Sequence, residues 1–302
     1  MSKTKQETAK KIQNITLLGC GAMGQRMALR LIDAGFALSV YNRDSKRVST
    51  ICEAGARRVD APASAVQDAD LVINMLTDDP ACQAVWFDGS TGAMQGLRKG
   101  TVVVQSSTLS LAYVKKLGEQ IETSGADYID APVVGSRPQA ESGSLLFLTA
   151  GKAHTIEKAS AVLQILGKLS ANLGAIGNAT LMKHAINAYF GIQVAAIAEI
   201  VGMLHKSEIP RQQSIDLLSG LPITSPALQF VLAQIEQQAY APLFPIDLVA
   251  KDFAYILKTA QDYAVDLPTT SRVSEVFRQA ATAGYGGENI SAVARLFVRD
   301  YK

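Results

Sequence analysis

The feature that most constrains the fold is a glycine-rich turn near the start of the chain. The run 12–18 is apolar, the turn Gly19-Cys-Gly-Ala-Met-Gly24 follows, residues 22–34 have helical periodicity and 36–41 are apolar again. A strand, a helix and a second strand in this order form a βαβ unit. The three glycines of such a turn permit a tight turn, a close approach of the backbone to a diphosphate, and close packing of helix on strand.

This placement predicts a dinucleotide site, because the helix that starts after the turn directs its positive end toward the phosphates. The alternative is a glycine turn that serves packing only. The predicted cofactor contacts here are Gly19, Gly21, Ala22, Met23 and Gly24.

The alternation of strand and helix patterns continues through the first half of the chain. Strand patterns occupy 71–76, 101–105, 128–129 and 144–149, and helical patterns occupy 81–87 and 111–124. Such alternation predicts an α/β fold of the Rossmann type, a mostly parallel, doubly wound sheet with helices on both faces.

The pattern changes after about residue 174. Helical patterns separated by Pro and Gly occupy 181–206, 210–218, 225–239, 248–263, 268–283 and 290–297. We therefore expect a flexible polar tail over 1–11, a dinucleotide-binding domain over 12–175 and an all-helical domain over 176–302.

The charge balance excludes broad recognition of polyanions. The chain of 302 residues has 29 basic and 27 acidic side chains, a formal net charge of +2. No strong field therefore attracts nucleic acid or anionic lipid. The longest apolar stretch, 188–204, contains Gln193 and Glu199, which a lipid-facing helix would hardly tolerate, so we interpret it as a buried helix.

The cysteines and the leader are typical of a cytoplasmic protein. Cys20, Cys52 and Cys82 form no CxxC or Cys/His cluster, so neither a metal site nor a disulfide framework is expected. The polar leader 1–11 lacks the apolar core of a secretory signal.

The end of the second strand favours NADP over NAD. Sites that prefer NAD usually place an acidic residue here to bind the ribose 2′-hydroxyl, and this chain has Asn42 instead. Arg43, which follows, can make charge-assisted bonds to a 2′-phosphate. The alternative is a solvated Arg43, with Asp44 holding the hydroxyl of NAD.

A second glycine-rich segment, 174–187, leads into a helix with Lys183 and Asn187 four residues apart. Positions i and i+4 share a helix face, so both side chains can contact one substrate, although an ordinary solvated face has the same spacing. Hydride transfer to a carbonyl carbon leaves charge on oxygen, which requires a proton donor within reach. We interpret Lys183 as the general acid/base and Asn187 as the group that orients it or binds substrate oxygen. His184 points about 100° away.

Four segments together resemble the β-hydroxyacid dehydrogenase family, which includes 3-hydroxyisobutyrate dehydrogenase and the glyoxylate/succinic semialdehyde reductases. They are the turn 19–24 with Met27, Ala28 and Leu31, the loop Asp130-Ala-Pro-Val-Val-Gly-Ser136, the helix start 177–187, and Phe244-Pro245 with Lys251-Asp252. The resemblance covers about 12–297. The segment 135–143 and the Asn-Arg dipeptide look more like the semialdehyde-reductase branch.

The resemblance implies NADP(H)-dependent hydride transfer on a small hydroxy acid or semialdehyde, with Lys183 as the counterpart of the family's catalytic lysine. It implies a homodimer or homotetramer, and a helical domain that serves substrate binding and dimerisation. The implied further cofactor contacts are Met75, Leu76, Thr108 and Lys251. The implied substrate contacts are Val134, Gly135, Ser136, Phe244 and Asp252.

One position departs from the family pattern. Val134 stands where the loop usually has a serine whose hydroxyl helps to hold the substrate carboxylate. Either Ser136, Arg137 or backbone amides replace it, or the substrate is not an ordinary short hydroxy acid. Two further alternatives remain: an imine reductase of similar architecture, whose members typically carry another residue in place of the lysine, and a non-catalytic NADP-binding protein.

Overall fold

The computed structural model describes residues 12–298, and the chain divides into two compact units after Lys183. The division therefore lies within a helix, Asn178–His205, rather than at the predicted residue 175. The predicted tail, 1–11, lies outside the described residues.

The first unit contains a mostly parallel sheet. Its strands are β1 (Asn14–Leu18), β2 (Ala37–Tyr41), β3 (Arg57–Arg58), β4 (Leu71–Asn74), β5 (Val102–Gln105), β6 (Asp127–Asp130), β7 (Val133–Val134), β8 (Leu145–Gly151) and β9 (Gly167–Asn172). The order is β3-β2-β1-β4-β5-β6-β8-β7, and β9 pairs with β8. β1 lies between β2 and β4, so the strand order reverses there, which is where ligands of doubly wound sheets bind.

Both faces of this sheet are covered. The helices are α1 (Ala22–Asp33), α2 (Ser49–Glu53), α3 (Pro62–Val66), α4 (Asp79–Phe87), α5 (Leu111–Thr123), α6 (Arg137–Ser142) and α7 (Ala153–Leu166). Alternate side chains of a strand point to opposite faces. In β4, Leu71 and Ile73 accordingly join the apolar layer that contains α1, and Val72 joins the layer that contains α5. The predicted α/β fold with helices on both faces is confirmed.

The second unit is helical. After the long helix α8 (Asn178–His205) come α9 (Arg211–Gly220), α10 (Pro226–Gln237), α11 (Ile246–Asp262), α12 (Pro268–Ala280), a π-helical turn (Ala281–Tyr285) and a 3-10 helix (Ile290–Leu296). Glycines in α8 allow close packing: a Cβ at Gly191 would lie 2.5 Å from the Phe253 ring, and one at Gly202 would lie 2.4 Å from Cβ of Phe297. These contacts explain why small residues occupy an otherwise apolar helix.

Helix α8 is buried along one face only. Val194, Ala195 and Ala198 are buried, whereas Tyr189 and Met203 are 70% and 62% exposed. Among the described residues, α8 is the one helix that is long and apolar enough to cross a membrane, a test that the core helix of a soluble protein also passes. The interpretation of 188–204 as a buried helix is therefore correct for one face.

Several elements differ from the sequence-based expectation. The helix α7 and the strand β9 were not predicted; β9 is largely polar and partly exposed, so it lacks the alternating apolar pattern of a half-buried strand. The helix predicted over 268–283 ends at Ala280, before the π-helical turn that contains Gly284 at φ 93°. The last predicted helix is of the 3-10 type.

Candidate functional site

The glycine turn leaves room for a diphosphate. Gly19 has φ 98°, and a Cβ there would lie 2.3 Å from the carbonyl oxygen of Met75; at Gly24 it would lie 2.1 Å from the carbonyl oxygen of Gly19. At Gly21 a Cβ would meet no atom within 4 Å. Gly21 is also the N-cap of α1, which has no side-chain cap. An open glycine at an uncapped helix start fits an anionic group.

The side chain of Asn42 is hydrogen-bonded to this turn. Its Oδ1 accepts the backbone N–H of Cys20 at 3.0 Å, and its Nδ2 donates to the carbonyl oxygen of Asp44 at 2.8 Å. Arg43 is exposed. The Asp44 carboxylate accepts the backbone N–H of Lys46 at 3.1 Å and so caps the 3-10 helix Ser45–Val48, which follows β2. Sequence reasoning placed Asn42 at the cofactor but missed its bond to the turn.

The loops after β4 and β5 are joined by a serine. The N–H of Met75 donates to the carbonyl oxygen of Leu18 at 2.8 Å, and the N–H of Leu76 donates to Oγ of Ser107 at 2.7 Å. Thr108 is half-buried in the second loop. Ser107 was not among the predicted contacts, although a hydroxyl just after a buried strand is the kind of signal that points to this edge.

The candidate substrate loop is held by a helix cap. Val134 pairs with Leu146 of β8, and Gly135 has φ 121°. Ser136 forms a capping box at the start of α6, in which its N–H donates to Oε1 of Gln139 at 2.8 Å and its hydroxyl accepts the Gln139 N–H. The amide of Ser136 is therefore bonded inside the loop.

A buried carboxylate caps the start of α8. Oδ2 of Asp130 accepts the N–H groups of Gly177 and Thr180 at 3.0 Å each, and Oδ1 accepts the Thr180 hydroxyl at 2.7 Å. Desolvation raises the pKa of Asp130 to about 6, against the pull of these bonds. Lys183 follows one turn later and is 9% exposed. The sequence showed Asp130 only as part of a motif, because a cap supplied from 47 positions earlier leaves no local pattern.

In the second unit, three predicted residues form one cluster. Nδ2 of Asn187 donates to Oδ2 of Asp252 at 2.6 Å, and Nζ of Lys251 lies 2.9 Å from Oδ1. Nζ of Lys251 also lies 4.9 Å from the ring centre of Tyr255. A carboxylate only accepts hydrogen bonds, so the amide nitrogen of Asn187 faces it and the amide oxygen points elsewhere. Asp252 thus orients the Asn187 side chain so that its amide oxygen faces away from the carboxylate.

Phe244 and His184 both lie within hydrogen-bonding distance of residues of the second unit. Oδ1 of Asn289 accepts the N–H of Phe244 at 2.9 Å and that of Leu243 at 3.1 Å, which holds the segment before α11 in position. Nδ1 of His184 lies 3.3 Å from the hydroxyl of Thr259, and the ring is buried. Among residues 12–298, no group of three or more His, Cys, Asp or Glu could hold a metal ion.

Comparison with known proteins identifies the family of this chain. Residues 14–180 match the family model described as "NAD binding domain of 6-phosphogluconate dehydrogenase", and residues 177–297 match the one described as "NAD-binding of NADP-dependent 3-hydroxyisobutyrate dehydrogenase". Glyoxylate/succinic semialdehyde reductase 1 of Arabidopsis thaliana is 30% identical over 279 residues, which make up 92% of this chain and 96% of the reductase. The chain belongs to the β-hydroxyacid dehydrogenase family.

Two further proteins support this assignment of the β-hydroxyacid dehydrogenase family. Glyoxylate/succinic semialdehyde reductase 2, chloroplastic, of the same plant is 32% identical over 285 residues, 93% of this chain and 78% of that protein. The crystal structure of 3-hydroxyisobutyrate dehydrogenase from Salmonella typhimurium has a TM-score of 0.85 at 22% identity and covers 94% of this chain and 100% of its own, which confirms the fold. The protein is therefore an oxidoreductase with a pyridine-nucleotide-binding domain.

Proposed function

We propose that this protein is an NADP(H)-dependent reductase of small semialdehydes, which interconverts them with hydroxy acids and uses Lys183 as general acid/base. The observation that carries the proposal is the start of α8. The helix is capped by Asp130, Lys183 is 9% exposed one turn later, and Asn187 follows at i+4 with its amide orientation set by Asp252. A lysine and an oriented amide share one face of a helix.

The chemistry requires the chain to move one proton. When bound, the nicotinamide supplies or accepts the hydride. In reduction the Lys183 ammonium donates its proton to the developing alkoxide, and in oxidation the neutral amine accepts the proton of the alcohol. Asn187 offers an amide oxygen that accepts from the lysine or from a substrate hydroxyl.

NADP is the proposed coenzyme. The position expected to bind the 2′-hydroxyl is Asn42, whose amide is bonded to the backbone at both ends. Asp44, the alternative ligand for NAD, caps the 3-10 helix Ser45–Val48. Arg43 is exposed beside them and carries the positive charge that a 2′-phosphate needs. Lys251 is proposed to contact the cofactor with its charge balanced by Asp252.

The substrate class rests on the family and on the loop 134–136. Val134 supplies no hydroxyl, so Ser136, Arg137 or backbone amides of the loop are proposed to bind the substrate carboxylate in its place. The relatives from Arabidopsis thaliana carry glyoxylate and succinic semialdehyde in their names. We therefore propose a semialdehyde or 2-oxo acid that bears a carboxylate.

A homodimer or homotetramer in the cytoplasm, without nucleic-acid or membrane partners, is part of the proposal. Support comes from an apolar stripe on α8, where Tyr189, Ile200 and Met203 are 70%, 41% and 62% exposed. A second copy of the helical unit would cover such a stripe. Light scattering at several concentrations tests the assembly, and a monomer at all of them would contradict it.

The decisive experiment is an NADPH-oxidation screen over glyoxylate, succinic semialdehyde, tartronate semialdehyde, methylglyoxal and cyclic imines. The wild type is compared with Lys183→Ala and with Lys206→Ala, an exposed lysine beyond the end of α8. Loss of a general acid lowers the rate by about 10²–10⁴-fold, so Lys183→Ala should bind NADPH and lose turnover, while Lys206→Ala keeps both.

Each other outcome of the screen identifies a different function. An unchanged kcat in Lys183→Ala would contradict its role as proton donor. Turnover of a cyclic imine alone would indicate the imine reductase, and NADPH binding without any turnover would indicate the non-catalytic protein.

The coenzyme preference is tested with Arg43→Ala. We expect KM for NADPH to rise far more than KM for NADH, because only NADPH carries the 2′-phosphate that the guanidinium would bind. An equal change for both coenzymes would remove the argument for NADP.

A further inference from the structure

Two neighbouring strands of the first unit end on buried amides. Asn74 is the last residue of β4 and Gln105 the last of β5, and the two are paired in the parallel register. Both are completely buried, in strands that are otherwise apolar. Burial of an amide is unfavourable unless its donors and acceptors are bonded, so the partners of these amides determine what they do.

The partners form a chain of hydrogen bonds. Nε1 of Trp86 donates to Oδ1 of Asn74 at 3.1 Å, and Nδ2 of Asn74 donates to Oε1 of Gln105 at 2.9 Å. The same Oε1 accepts the N–H of Ser107 at 2.9 Å, and Oγ of Ser107 accepts the N–H of Leu76 at 2.7 Å. Oγ of Ser107 donates in turn to the carbonyl oxygen of Asn74 at 3.2 Å, which closes the network.

The orientation of the two amides in this network follows from which partner atoms can only donate. The indole N–H of Trp86 and the backbone N–H of Ser107 can only donate. Asn74 must therefore turn its oxygen to Trp86, Gln105 must turn its oxygen to Ser107, and the nitrogen of Asn74 supplies the bond between the amides. The same nitrogen lies 3.3 Å from Sγ of Cys82. Only an amide at position 74 satisfies both neighbours.

The network ends on the two loops that are proposed to contact the cofactor. Leu76 lies in the loop after β4, and Ser107 precedes Thr108 in the loop after β5. We propose that Asn74 is a positioning residue: its buried amide sets the spacing of the loops 75–76 and 107–108, and hydride transfer depends on that spacing. This inference rests on the proposed function.

The expected signature is a loss of rate that exceeds the loss of folding. Strands β4 and β5 are held by their backbone pairing and by apolar layers on both faces, which do not require Asn74. A misplacement of about 1 Å near a reacting centre lowers the rate by roughly 10²-fold. A change confined to the network should therefore act mainly on the chemical step.

The test compares Asn74→Asp with Val72→Ala. At a pH where its carboxylate is ionised, the aspartate has the shape of asparagine but cannot donate to Gln105. Val72 is a completely buried residue of the same strand outside the network. The measurements are the melting temperature, the dissociation constant for NADPH, kcat, and the primary isotope effect with NADPH deuterated at C4.

We expect Asn74→Asp to lower kcat by about tenfold or more and to raise the isotope effect, because hydride transfer becomes rate-limiting. Val72→Ala should lower the melting temperature and leave kcat and the isotope effect unchanged. An Asn74→Asp protein that loses melting temperature as Val72→Ala does, with the wild-type isotope effect, would overturn the proposal.

A second variant covers the case in which Asn74→Asp does not fold. Trp86→Phe removes the first donor of the chain from α4, outside both loops, and should move kcat and the isotope effect in the same direction by a smaller factor. A wild-type isotope effect in a folded Trp86→Phe would then count against the network.

Failure of the proposed function can be distinguished from failure of the positioning role of Asn74. If the wild type binds NADPH but reduces no substrate, the proposed function fails and the positioning role is decided by binding. Trp86 is the single tryptophan of the chain, so its energy transfer to bound NADPH reports on the spacing. A changed transfer in Asn74→Asp supports the proposal, and an unchanged transfer and dissociation constant overturn it. A wild type that binds no dinucleotide refutes both.

Discussion

The two units hold their candidate site residues by different means. In the first unit, Asn42 and Asp130 hold backbone groups, the N–H of Cys20 and the N–H of Gly177. In the second unit, Asn187 bonds to the side chain of Asp252, which also pairs with Lys251. Backbone partners are positioned by the packing of the whole sheet, whereas a charged pair depends on each of its members. The first arrangement should therefore be sensitive to shape and the second to charge.

Among the variants that test this comparison, the largest effect should come from Asp252→Ala. Removal of the carboxylate leaves the Lys251 ammonium without its counterion and frees the amide of Asn187 to rotate. Breaking a largely buried ion pair in this way costs about 3 kcal/mol. We expect a lower free energy of unfolding by denaturant and a strong loss of kcat/KM for NADPH-dependent reduction.

Two variants of the same helix control this prediction. Asp252→Asn keeps an oxygen that can accept from Asn187 and should lose less. Asp262→Ala breaks a partly exposed pair with Lys258 of α11, where such a contact contributes at most about 1 kcal/mol. If Asp262→Ala harms activity as much as Asp252→Ala does, charge in the second unit does not act through Asn187.

An intermediate effect is expected at Gly21. A methyl group there meets no atom within 4 Å, so Gly21→Ala should keep the melting temperature while it weakens NADPH binding by blocking the approach of the diphosphate. Gly24→Ala, whose methyl would lie 2.1 Å from the carbonyl oxygen of Gly19, should lower the melting temperature itself. Equal melting temperatures and equal NADPH affinities for the two variants would show that shape does not govern the turn.

The smallest effect should come from Asp130→Asn. Burial raises the pKa of Asp130 from 3.8 to about 6, so the native state holds this proton more tightly than the unfolded chain does. Its stabilising contribution is complete below about pH 3.8 and is lost as the pH rises through about 6. An asparagine can accept from Gly177 and Thr180 and does not titrate.

We therefore expect Asp130→Asn to lose less stability than the wild type does when the pH rises from about 4 to 7, as measured by urea unfolding. Activity should change little, because the cap on α8 persists. Parallel stability profiles for the two proteins would contradict the shifted pKa, and a large loss of activity would show that charge matters in the first unit too.

Much of the fold was predictable because its signals are local. The strands β1, β2, β4 and β5 are apolar runs flanked by turns, and the helices α1 and α5 have strong periodicity. The short strand β7 and the polar strand β9 lack such signals, since their pairing with β8 depends on residues distant in the chain.

The candidate site was predictable to a similar degree. Motifs pointed to the turn 19–24, to Lys183 and to Asp252. They did not reveal that Asp130 caps α8 or that Asn74 joins two loops through Ser107, because those bonds connect residues remote in sequence.

The sequence by itself determined the family, the βαβ start with its glycine turn, and the helical spacing of Lys183 and Asn187, since each follows from local periodicity and residue type. The tertiary structure decided which atoms these side chains offer. Asn42 is committed to the turn, and Asn187 turns its oxygen away from Asp252, because buried donors and acceptors must find partners that folding brings near. The hydrogen bond that Asn42 makes to the glycine turn is thus a feature of the tertiary structure alone.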